Sequence, residues 1–187
     1  MQTAPHILVA LFDATPEHAV LADHVHTNRA RSFGQALGKS GMGIIARVGS
    51  PLVTSSFGGL RDAGTTGIAL SPATSHHEHE IAYRLPKLSA PTIFTGRGAY
   101  GTDTIALSSA QALAILGSHI EVLENILEHT KDHTVPILVL TDEDSSSVHE
   151  RVRILHPGML SRLVVSHDPN ILVSHLSAEM RRKRFES

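Results

Sequence analysis

Residues Pro91–Ile126 read PTIFTGRGAYGTDTIALSSAQALAILGSHIEVLENI. The order is an apolar strand, a glycine-rich turn, a short helix over Thr102–Ser109, a buried strand over Gln111–Leu116, and a turn into a helix over Ser118–His129. In that last helix Ile120, Leu123, Ile126 and Leu127 form one stripe, while Glu121, Glu124 and Glu128 face outward. This is the period of a helix lying on a core. Two strand-to-helix turns of this kind are expected side by side at the carboxyl ends of a parallel sheet. Backbone N–H groups and helix N-termini face a ligand there.

The same alternation extends outward in both directions. His6–Phe12 (HILVALF), Met42–Val48 (MGIIARV), Thr66–Leu70 (TGIAL), Val135–Leu140 (VPILVL) and Arg162–Ser166 (RLVVS) are short apolar runs, as expected of strands covered on both faces. Helix-length segments separate most of them. Thr15–Pro16 opens one that runs to Lys39, although the polar piece Asp23–Arg29 has no assigned place in it. Ser50 caps and Pro51 begins another that ends at Asp62, where Gly58–Gly59 permits close packing on the sheet. Thr141, followed by three acids, caps a helix ending at Leu155, and Asp168–Pro169 starts the last. Ala73–Ser89 reads as a loop with a short helix over Glu78–Tyr83. The expectation is one α/β domain over residues 1–187, Rossmann-like, with a mostly parallel, doubly wound sheet of six or seven strands.

Composition narrows the function classes. The 187 residues are 41% hydrophobic and 4% aromatic, with no tryptophan, so Ala, Val, Ile and Leu must build the core. Cysteine is absent, which excludes disulfides, thiolate metal sites and thiol nucleophiles. A net charge of −2 gives no general argument for nucleic acid. The first apolar run has no basic residues before it and ends at Asp13, so neither a leader nor a membrane span is expected, and a cytoplasmic protein is.

Among candidate sites, Gly96, Gly98 and Gly101 follow a buried strand and can shape an anion-binding nest, with Arg97 supplying charge. Glu124 reads either as an acid–base residue or as a solvated helix acid. Asp103 reads either as its opposing carboxylate or as a charge suited to a helix N-terminus. His76–Glu80 (HHEHE) has the residue types of a metal site, but only His76 and Glu80 share a helical face, so no metal is expected. Ser71, Ser108 and Ser109 sit in no GxSxG elbow. Arg181–Arg184 reads as a solvated helix end.

Several strings in order carry a resemblance. They are GIALSPA (Gly67–Ala73), Glu78–His79, Tyr83–Pro86, Thr95–Gly96–Arg97–Gly98, Gly117 leading a helix, and then a proline-led apolar strand. From Ala30 to Thr141 the chain resembles the Lonely-Guy (LOG) and molybdenum-cofactor-carrier group of Rossmann-like proteins, formerly called "lysine decarboxylase-like". The resemblance implies a nucleotide-like ligand, either a nucleoside monophosphate cleaved to base and ribose phosphate or a pterin that is carried. It implies ligand contacts at Gly96, Arg97, Gly98, Gly101, Thr102, Asp103, Gly117, Ser118 and His119, and a homodimer or a pairing with a homologue. The family's Arg–Asn pair falls on Thr102–Asp103. Its GGxGTxxE motif falls on Leu116–Glu124, with Glu124 as the acid, or one residue later with Asn125 in that place. The turn after the second strand keeps one glycine, Gly49, where the family is glycine-rich. Three functions follow as expectations: a binder of a phosphorylated small molecule with little or no catalysis, a phosphoribohydrolase, and a degenerate subunit.

Overall fold

The computed structural model describes residues 7–14, 24–85, 88, 90–117 and 119–186. Seven strands form one sheet: β1 (Ile7–Asp13), β2 (Met42–Arg47), β3 (Ile68–Ser71), β4 (Thr92–Phe94), β5 (Ala112–Leu116), β6 (Ile137–Leu140) and β7 (Leu163–Ser166). Every pairing is parallel, in the order β4-β3-β2-β1-β5-β6-β7. The strand expectations hold to within one or two residues, and β7 lies at an edge as expected.

Helices α1 (His24–Lys39), α2 (Pro51–Asp62) and α7 (Pro169–Glu186) cover one face. Helices α4 (Gly98–Ser109), α5 (Ile120–Thr130) and α6 (Ser145–Leu155) cover the other, with a 3-10 helix over Pro157–Arg162 that the sequence reading lacks. The short α3 (His76–Ile81) precedes β4. Strand side chains alternate between the two cores: Val9, Leu11, Ile44 and Ala46 face α1 and α2, whereas Ala10, Ile45, Leu113 and Ile115 face α4 and α5. The proposed helix start at Thr15–Pro16 and Asp23 lie outside the described residues, but His24–Arg29, the last six residues of the unassigned polar piece, form the first turns of α1.

Two helices start earlier than expected, α3 at His76 instead of Glu78 and α4 at Gly98 instead of Thr102, and three further expectations change. The strand-to-helix turns after β4 and β5 are not neighbours, because β3, β2 and β1 lie between them. The cause is α4, which carries the chain from the far edge back across β3, β2 and β1 before β5 begins. The Gly58–Gly59 pair packs on α1, not on the sheet: a Cβ on Gly59 would lie 1.9 Å from the Arg31 carbonyl oxygen, and one on Gly34 would lie 1.9 Å from that of Ser56. Thr141 does not cap α6. It is buried at the end of β6 and its hydroxyl accepts from the Glu143 N–H at 3.1 Å, so the helix starts four residues later, with Asp144 at its N-cap.

Candidate functional site

Strand order locates the site. After β1 the chain builds outward on one side of it through β2, β3 and β4, then returns to add β5, β6 and β7 on the other. The carboxyl ends of β1 and β5 therefore form the topological switch point, where such sheets bind ligands.

A cavity of about 280 Å³ opens beside it, between α4 and α5. Phe12, Leu107, Val122 and Ile126 supply its apolar wall, and Asp103, Asn125 and His129 supply polar groups. At one end the rings of Tyr100 and His129 meet edge to face, 5.2 Å between centroids. A smaller space of about 150 Å³ shares Phe12, Asp103, Val122 and Ile126 and reaches Asp13, Arg47 and Ser50 at the strand ends. The combined volume suits a small ligand.

Polar side chains at the strand ends are tied to one another. Ser50 caps α2, its oxygen accepting from the N–H groups of Leu52 and Val53 at 3.1 and 3.3 Å, while its hydroxyl donates to the Asp13 carboxylate. Arg47, the last residue of β2, donates from Nε to Asp103 Oδ1 at 2.9 Å. Burial pushes the Asp103 carboxyl above its ordinary range, and Arg47 and His129 pull it back only in part. Oδ2 of Asp103 is not used in the pairing with Arg47.

The residues expected from the sequence are dispersed. Gly96 and Gly98 adopt positive φ, 62° and 64°, around an exposed Arg97 at the N-cap of α4. This turn stands at the end of the edge strand, three strands from β1. Gly101 lies in the first turn of α4, where a Cβ would crowd the Arg97 side chain at 2.6 Å. Thr102 is fully buried: its hydroxyl donates to the Gly98 carbonyl at 2.6 Å and meets the Thr95 hydroxyl at 2.7 Å. Gly117 and His119 do reach the switch point. However, the Gly117 N–H donates to Leu140 and the His119 N–H to Ala14, at 2.9 and 3.1 Å, so both are spent on stitching β5 to its neighbours. Ser118 lies outside the described residues.

Asp103 alone of the expected contacts lines both spaces. On α5 the cavity lining includes Asn125 and not Glu124, which is half-buried. Of the two positions left open on α5, Asn125 is the one that faces the cavity. In α3 His79 turns inward, its Nδ1 2.9 Å from the Ser71 hydroxyl, while His76 pairs with Glu80 at 3.1 Å. Among the described residues no three histidines or acids are grouped to hold a metal ion. Nor is any helix among them long and apolar enough to cross a membrane.

Sequence reasoning missed Arg47, Tyr100 and His129. Arg47 carried a signal, as the one charge ending an otherwise apolar strand, MGIIAR. Tyr100 and His129 carried none, since their meeting depends on how α4 crosses the sheet.

Neither a family model nor a curated protein matches the chain by sequence. Solved structures do match in shape. The molybdenum cofactor carrier protein of Chlamydomonas reinhardtii superposes with a TM-score of 0.69 at 18% identity, over 95% of this chain and 99% of that one. The molybdenum cofactor binding protein of the phototrophic bacterium Rippkaea orientalis gives 0.68 at 14% identity over 100% of both chains. The chain has the molybdenum-cofactor-carrier fold. The likeness extends the resemblance read from Ala30–Thr141 to nearly the whole chain. At this identity it speaks for the fold, and the ligand must be argued from the site.

Proposed function

We propose that this carrier-like chain binds a phosphorylated small molecule bearing a flat heterocycle at the carboxyl edge of its sheet, and does not cleave it. Asn125 in the cavity carries this reading. An amide neither takes up nor releases a proton near neutral pH, so it cannot serve as the acid or base that breaks a glycosidic bond, and Asp103, the carboxyl in the same cavity, is already engaged by Arg47. It can still hydrogen-bond a ligand.

The chemistry of Asp103 narrows the ring. A carboxylate only accepts hydrogen bonds, and each oxygen has two lone pairs. With one position taken by Arg47, Asp103 matches a ring edge offering two adjacent N–H donors, and Asn125 can donate to a neighbouring ring carbonyl. A 2-amino-oxo ring, as in a pterin or guanine, has that edge. Adenine presents a ring-nitrogen lone pair in its place, which a carboxylate repels. Molybdenum cofactor, which names the structural relatives, is a pterin-type ligand of this description.

The test is thermal unfolding with adenosine monophosphate, guanosine monophosphate and a pterin, with chromatography for released base. Stabilisation by the guanine or pterin compound without free base is expected; ligand at a hundred times Kd adds about 2.7 kcal/mol. No stabilisation by any of them would sink the binding reading. Free base whose release stops in Glu124→Gln would establish the phosphoribohydrolase instead.

A further inference from the structure

On the opposite face of the sheet, the same edge carries a second charged group outside the α4–α5 cavity. His26 and Arg29 lie three residues apart on α1 and so share a face. Both reach Asp142, which leaves the end of β6: His26 Nε2 is 3.2 Å from Oδ2 and Arg29 Nη1 is 2.5 Å from Oδ1. His167, directly after β7, lies beside them, because the Thr141 N–H at the end of β6 donates to the Ser166 carbonyl at 3.1 Å.

This is more than a surface ion pair in two respects. The Arg29 side chain is only 20% exposed. Its Nη1 is buried against Asp142 Oδ1. Without Asp142 that largely buried cation would have no acceptor, so the place demands an anion. The guanidinium also borders a void of about 10 Å³ shared with His26 and Gly117, at the switch point itself. Basic groups from α1 and from the turn after β7 thus converge where an anionic ligand of such a sheet belongs, and a side-chain carboxylate fills the place.

We propose that His26, Arg29 and His167 form a binding site for a phosphate monoester or pyrophosphate, and that Asp142 occupies it in the free protein. The void is too small for a phosphate, so Asp142 must leave for the anion to enter. The exchange favours the ligand electrostatically: a phosphate brings more charge and more acceptor oxygens than a carboxylate, and it can take both arms of the guanidinium. Asp142 therefore sets the threshold for phosphate. The site stands whether or not the α4–α5 cavity takes a heterocycle.

The experiment uses the full chain with inorganic phosphate and pyrophosphate as probes, followed by calorimetry and by the imidazole resonances of His26 and His167. Asp142→Asn is expected to tighten both anions by about tenfold, the worth of one charge-assisted hydrogen bond. Arg29→Gln is expected to abolish binding, and both imidazoles should shift on titration. Anion affinity that is equal in wild type and Asp142→Asn would overturn the proposal. So would binding that survives Arg29→Gln. If Asp142→Asn does not fold, the wild-type histidine shifts and their loss in Arg29→Gln decide the matter, and unmoved histidines refute it.

Discussion

Arg47 Nε donates to Asp103 Oδ1 at 2.9 Å, so the end of β2 holds the second turn of α4 above the strand ends. The bond joins residues 56 apart in sequence and fixes one wall of the cavity. Asp103 is otherwise a carboxyl that burial pushes upward. A raised folded pKa means that the folded chain takes up this proton more readily than the unfolded chain. Ionisation then weakens the fold as pH rises through the folded pKa. Arg47→Ala is expected to raise that pKa further and to steepen the loss. A carboxyl NMR titration of Asp103, with unfolding measured across acid pH, checks both.

Asp142 has the opposite sign. The Arg29 guanidinium, with His26 and His167, holds its carboxyl below the ordinary range. Its stabilising effect is present above the unfolded value, about 3.9, and is lost as pH falls through the lowered folded value. The carboxylate is about half exposed, at 49%, so the effect is modest, under about 1 kcal/mol. Asp142→Asn should therefore melt slightly below wild type at neutral pH, and the two curves should merge in acid.

Two adjacent glycines should respond with opposite signs. At Gly58 a Cβ would meet only the Arg31 guanidinium at 3.5 Å, an ordinary contact in a helix interior. Gly58→Ala is expected to stabilise by about 0.5–1 kcal/mol. Gly59→Ala would drive its methyl into the Arg31 carbonyl and force α1 and α2 apart, at a cost of about 1–3 kcal/mol or more. Urea unfolding of the two variants separates these outcomes.

The strands were legible because a strand covered on both faces must be apolar throughout, as AlaLeuAlaIleLeu over Ala112–Leu116 is. The start of α2 was legible because Ser50–Pro51 is a capping signal in itself. The start of α4 was not. Gly98 and Gly101 read as a loop, yet the Thr102 hydroxyl returns to the Gly98 carbonyl and closes a helical turn there. Strand order was hidden as well, since nothing local in Pro91–Ile126 says that α4 spans three strands. That crossing determines which residues meet, and so Asp103 and Asn125 share a cavity while Gly96–Gly98 stands apart.

On α5 the two candidate residues should separate cleanly. Asn125→Ala removes a group from the cavity lining and is expected to weaken nucleotide or pterin binding by about tenfold. Glu124→Gln should leave affinity unchanged. Calorimetry on the two variants distinguishes them.

The central claim is that Asp103 reads the ligand's ring. Its most direct test is calorimetric titration of wild type and Asp103→Asn with guanosine and adenosine monophosphates. Wild type should prefer guanosine monophosphate by about tenfold or more, and Asp103→Asn, whose amide can both donate and accept, should lose that preference. Equal affinity for the two nucleotides in wild type, or a preference unchanged by Asp103→Asn, would contradict it.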